Sequence, residues 1–120
     1  MNNHIKEFAE IINECSKQNW DCYGANPITF KTLCEGIKAC SLLHELGIYN
    51  FEIGASTRGE INFEFNKEND CLLVNIIDKT IHYGGIVNDK RVHGIIDTEI
   101  QEPPMEFVLL CKSLEHDTLE

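Results

Sequence analysis

The stretch "FEIGASTRGEINFEFN", residues 51–66, decides the fold. Before it, apolar residues recur every three or four positions; within it they recur every second one. Phe51, Ile53 and Ala55 alternate with Glu52, Gly54 and Ser56, "TRG" turns the chain, and Ile61, Phe63 and Phe65 alternate with Glu60, Asn62 and Glu64. An extended backbone sends successive side chains to opposite faces, so this period predicts a β-hairpin with one apolar and one acidic face.

The alternation continues downstream. "KEND" (67–70) reads as a second turn, "CLLVNIID" (71–78) as a third strand, "TIHYGGIV" (80–87) as a fourth, and "GIIDTEI" (94–100) as a short fifth. Connections this short make the neighbouring strands antiparallel. Upstream, residues 3–17 set Ile5, Phe8, Ala9, Ile12 and Cys15 at helical spacing, with Glu7, Glu10 and Glu14 elsewhere. "PITFKT" (27–32) opens a second helix with Thr29 as N-cap, because its hydroxyl can accept a free N–H of the first turn. Leu33, Ile37, Cys40 and His44 carry the stripe, Leu43 and Leu46 support it, and Gly47 stops it. "EPPMEFVLLCKSL" (102–114) forms a last helix, since proline is tolerated in a first turn, and residues 116–120 fray. The expected fold is a single two-layer α+β domain over 1–120. It has two N-terminal helices, an antiparallel β-meander of four to five strands and a C-terminal helix.

The face of that sheet turned away from the helices would present Glu52, Glu60, Asn62 and Glu64, then Leu73, Asn75, Ile77 and Ile86. Leu73, Ile77 and Ile86 make it more apolar than a face in water needs to be. Either it is an interface or the C-terminal segment covers it.

Charge narrows the classes of function. Twenty acids oppose ten Lys and Arg, a formal net of −10. Nucleic-acid binding needs a basic stripe to displace counterions, and Lys79, Lys90 and Arg91 are the nearest approach to one. The expected partner is another protein with a basic surface, or a second copy of the chain, and neither nucleic acid nor a membrane. No apolar run approaches the roughly 20 residues that cross a bilayer. "MNNHIKEFAE" lacks the features of a secretory signal, so a cytoplasmic location is expected. Cys15, Cys22, Cys34, Cys40, Cys71 and Cys111 contain no C-x-x-C pair and read mostly as small buried apolar residues.

The loop "NWDCYGANP" (19–27) holds the single tryptophan. Trp20 and Tyr23 can seal the helical layer against the sheet, Asp21 can accept backbone N–H groups, Gly24 turns the chain and Pro27 stiffens its exit. This structural reading is preferred to a partner-binding loop, which Trp and Tyr would also suit, and to one with Cys22 as a nucleophile, which would need a nearby histidine and oxyanion donors. The loop and the hairpin together resemble a group of small bacterial and phage proteins marked by Trp-Asp-Gly-Tyr-Gly-Ala, a following proline, a Glu-Ile-Gly hairpin and a later Tyr-containing strand. The matching pieces are Trp20, Asp21, Tyr23, Gly24, Ala25 and Pro27, "EIG" at 52–54, "GEINFEF" at 59–65 and "HYGG" at 82–85. The likeness spans about residues 18–86 and departs at Cys22, where the pattern has glycine, and at Phe65, where tryptophan is common. It implies the fold and a mobile-element setting in which inhibitors and antitoxins are common, and it brings no catalytic residues.

Other chemistries are weaker. Cys40 and His44 share a helix face one turn apart, but two ligands do not make a metal site. Glu60 and Glu64 lie on an open face that offers no cleft to raise one pKa for glycoside hydrolysis. "HYGGIV" precedes no helix and is not a phosphate loop; its glycines let the strand bend or admit a bulky neighbour. The expectation is therefore a non-enzymatic acidic interaction module without metal or cofactor, of an anti-defence or antitoxin-like kind. Its contacts would be Glu52, Glu60, Asn62, Glu64, Leu73 and Ile77. The alternative is a small enzyme with a pocket at the Trp20 loop, His82 and Tyr83.

Overall fold

The computed structural model describes residues 2–14, 26–99 and 102–115, and in it the alternation around residue 51 becomes a five-stranded antiparallel meander. The strands are β1 (Glu52–Ala55), β2 (Ile61–Lys67), β3 (Asp70–Ile77), β4 (Thr80–Val87) and β5 (Lys90–Asp97), ordered in space as in sequence. Three α-helices accompany them: α1 (Asn2–Glu14), α2 (Phe30–Glu45) and α3 (Met105–Ser113). The fifth strand begins at Lys90, four residues before the expected start, because "ND" makes a turn of its own. Asn88 and Asp89 both adopt positive φ, the geometry of a two-residue hairpin loop that matches the twist of the strands.

The register explains the core. Ile61 pairs with Ile76, Ile76 with Ile81 and Ile81 with Ile96, so one row of four buried isoleucines crosses the inner face. Phe63, Val74 and Tyr83 form the next row, and Phe65 and Leu72 the one beyond. The helices close over this face: Phe8 and Ile11 of α1, Cys40 and Leu43 of α2, and Phe107 and Cys111 of α3 join the same buried cluster.

The helical stripes are rotated from the expected ones. Among the described side chains of α1, His4, Phe8 and Ile11 are buried, while Ile5 is 67% exposed and Ile12 also faces outward. On α2 the buried positions are Thr32, Glu35, Gly36, Cys40 and Leu43, with Ile37 and Leu46 exposed. Polar side chains occupy the core-facing line because each finds a partner there. The N-cap at Thr29 forms as expected: its Oγ1 accepts the Thr32 N–H at 3.1 Å. Gly36 lets α2 sit close on β2, since a Cβ there would lie 3.0 Å from Ile61 Cδ1.

Thr32 joins the two layers. Its buried hydroxyl oxygen accepts the Asp78 N–H at 2.8 Å, fastening α2 to the β3–β4 turn. Thr32→Val keeps the shape and removes the acceptor, leaving that N–H without its partner. The expected loss is about 1–3 kcal/mol in urea unfolding. A loss within error would mean that water replaces the bond.

Candidate functional site

Two places concentrate chemistry: the outer face of the sheet and a histidine–cysteine cluster under α1.

On the outer face the register builds three rows. Glu52 lies opposite Glu64, which lies opposite Leu73, followed by Gly84 and His93. Gly54, Asn62, Asn75, His82 and Ile95 form a second row, and Asn66, Cys71, Ile86 and Arg91 a third. The helix α3 does not cover it. Its Phe107 ring packs against Tyr83 on the inner face, with centroids 5.0 Å apart. Among the described residues the outer face remains open, with Leu73 42%, Ile86 44% and Ile95 68% exposed.

The six expected contact residues are placed unequally. Glu52, Glu64 and Leu73 are exposed on adjoining strands. Asn62 is half-buried beside Gly54, where an added Cβ would lie 2.9 Å from its Oδ1. Glu60 precedes β2 and closes the turn: its Oε1 accepts the Ser56 hydroxyl at 3.0 Å, and its N–H donates to Ser56 Oγ. Ile77 is half-buried at the end of β3. Ile95, absent from the expected set, is the most exposed apolar residue of the face. The acids of this face lie on β1 and β2, while β4 and β5 expose His82, His93 and the cation Arg91.

Trp20, Asp21, Tyr23 and Gly24 lie outside the described residues. Pro27, at the loop exit, is half-buried against the β1–β2 turn. The Asn26 N–H donates to Thr57 O at 2.8 Å. Gly59 has φ +87, and a Cβ there would lie 3.0 Å from Pro27 O. Gly59 is thus required both by its backbone angle and by the chain crossing over it.

His82 and Tyr83 are neighbours on β4 and point to opposite faces, His82 exposed and Tyr83 buried. One pocket cannot draw on both. A pocket of about 310 Å³ between α2 and the end of β5 is lined in part by Glu35 and Thr98. The Glu35 carboxylate is already engaged there, accepting from Thr98 Oγ1 at 3.0 Å and Lys38 Nζ at 3.3 Å.

The second place was half legible. Cys40 and His44 share one face of α2, and the structure brings His4 of α1 to them. His4 Nδ1 lies 2.7 Å from His44 Nε2, and Cys40 Sγ lies 3.9 Å from the first nitrogen and 3.6 Å from the second. The other nitrogen of His4, Nε2, is 2.7 Å from the Phe51 carbonyl oxygen, which can only accept, so Nε2 carries a proton. Phe51 also stacks on His4, with centroids 4.2 Å apart. Burial, reinforced by the carboxylate of Glu7, pushes the Cys40 thiol up to about 11, and burial beside His4 lowers the basicity of His44. Burial likewise pushes Cys111 up to about 12, whereas Cys71 is exposed on the outer face. Among the four described cysteines Cys40 and Cys111 are buried, and of these Cys111 matches the small-apolar reading, while Cys40 contacts both histidines. The signal for His4 was its position four and seven residues before Phe8 and Ile11, a line that a purely apolar count passes over.

Among the described residues no helix is long and apolar enough to cross a membrane. No family model, no curated protein and no solved structure matches the chain.

Proposed function

We propose that the chain is a non-enzymatic interaction module that binds a basic-surfaced protein through the outer face of its sheet, with Glu52 and Glu64 meeting the basic groups and Leu73 and Ile95 the apolar ones. The single observation that carries this reading is the Glu52–Glu64 pair. The two residues lie directly opposite each other across β1 and β2 and both are exposed, with Glu64 Oε2 accepting from Asn66 Nδ2 at 3.3 Å. Among the described residues neither forms an ion pair. Like charges directly opposite each other destabilise a sheet. A fold that retains such a pair, beside exposed leucine and isoleucine, gives up stability that a cationic partner would restore. In the phage or mobile-element setting implied by the resemblance, the module is an inhibitor of anti-defence or antitoxin kind that occupies the basic channel of a nucleic-acid-handling protein.

Affinity capture from the host or its phage, with wild type and a Leu73→Ser/Ile95→Ser variant as parallel baits, tests this. The expected result is a basic protein retained by wild type, released by salt, and reduced at least about tenfold on the variant at equal circular dichroism. Equal capture by both baits removes the site. A chain that instead self-associates through this face in sedimentation replaces the reading with a homodimer.

A further inference from the structure

We propose that His4, Cys40 and His44 bind one divalent transition ion of the zinc class, with the fourth coordination position open to a pocket of about 200 Å³. Each side chain offers one ligand atom, and the three atoms lie within 4.8 Å of one another. Tetrahedral zinc holds imidazole nitrogen at about 2.0–2.1 Å and thiolate sulfur at about 2.3 Å. That geometry sets sulfur about 3.5 Å from each nitrogen, and the nitrogens about 3.3 Å apart. The observed sulfur–nitrogen distances, 3.6 and 3.9 Å, are close to this requirement. The nitrogens, hydrogen-bonded at 2.7 Å, must separate by roughly 0.6 Å, as the same bond lengths demand. His44, half-exposed and flanked by Tyr49, is the ring that must shift, while buried His4 is held in place.

What holds His4 is itself the arrangement that orients metal ligands. Its Nε2–H donates to the Phe51 carbonyl, which leaves the Nδ1 lone pair for the ion and fixes the ring. The proton between the imidazoles then sits on His44 Nε2 and moves to Nδ1 when the ion enters, so both rings stay neutral. The thiol proton of Cys40 leaves to solvent. Two imidazoles and one thiolate, with no oxygen donor, select zinc-class ions over calcium or magnesium. The spacing of Cys40 and His44 pre-places two ligands on one helix turn, and α1 closes the third over them.

Cobalt(II) added to chelator-stripped, reduced protein provides the probe. The expected result is one equivalent bound, with a thiolate-to-cobalt charge-transfer band in the near ultraviolet that zinc(II) abolishes. Cys40→Ser should lose the band, and His44→Gln should weaken binding by more than the about 10–100-fold typical of an outer-shell partner. Cys71→Ser, outside the cluster, should leave both unchanged. Glutamine keeps an N–H that can donate to His4 Nδ1, and circular dichroism with a cooperative metal-free melting curve checks that the His44→Gln variant folds. A missing band, or a band that persists in Cys40→Ser or binds equally well in His44→Gln, overturns the assignment.

Discussion

Gly85→Val is expected to lose about 4 kcal/mol or more, most of the stability of a small domain, whereas Gly84→Ala one residue away should be nearly neutral. The two glycines read identically in "HYGGIV", and the structure separates them. A Cβ on Gly85 would overlap the Cys71 carbonyl and lie 2.9 Å from Leu72 Cα, backbone atoms that cannot turn aside. β4 therefore runs against β3 at a distance that only a missing side chain allows, and any substituent must push the ladder apart. At Gly84 the nearest atoms, Val92 O at 3.7 Å and His93 Cβ at 3.9 Å, are in ordinary contact. Alanine there also reduces the freedom of the unfolded chain, which offsets part of any cost. Urea unfolding distinguishes the two: the Gly85→Val midpoint should fall by about 2 M or more, the Gly84→Ala midpoint by a few tenths. Equal shifts would show that β3 and β4 are not pressed together there.

Glu64→Lys should make the protein more stable and its proposed complex weaker. On the sheet it converts the like-charge pair with Glu52 into an attractive one, a gain of about 0.2–1 kcal/mol. At the interface it sets a cation against the partner's basic groups. The double reversal Glu52→Lys/Glu64→Lys restores the repulsion between strands, now positive, and should weaken binding about 100-fold. The opposed signs separate the proposed role from damage to the fold, because a merely disruptive substitution lowers both quantities. Unchanged affinity would remove these carboxylates from the interface, and a drop in the melting temperature of Glu64→Lys would remove the argument from strain.

The strands were the most legible part of the chain. Phe63 and Phe65 point inward because every second residue must, and no neighbour can change that parity. The helices were legible in position but not in rotation. Ile5, Ile12 and Ile37 looked core-facing by hydrophobicity, yet His4, Thr32 and Glu35 took the inner line. Each of those polar groups meets a partner at least 40 residues away: Phe51 O or His44 for His4, Asp78 N–H for Thr32, Thr98 for Glu35. Periodicity counts apolar residues and cannot see a satisfied polar one. The same limit hid the third member of the histidine–cysteine cluster.

Alternation and turn chemistry alone determined that this chain builds an antiparallel meander with helices against one face, and that acids would line the β1–β2 part of the other. Only the tertiary structure decided that α3 joins the inner layer and leaves Leu73, Ile86 and Ile95 open, that Glu60 serves the turn, and that His4 meets Cys40 and His44. The physical reason is range. The alternation of strand residues is set within a few residues by backbone geometry, whereas the rotation of a helix and the company of a polar side chain depend on groups that folding alone brings within 3–4 Å.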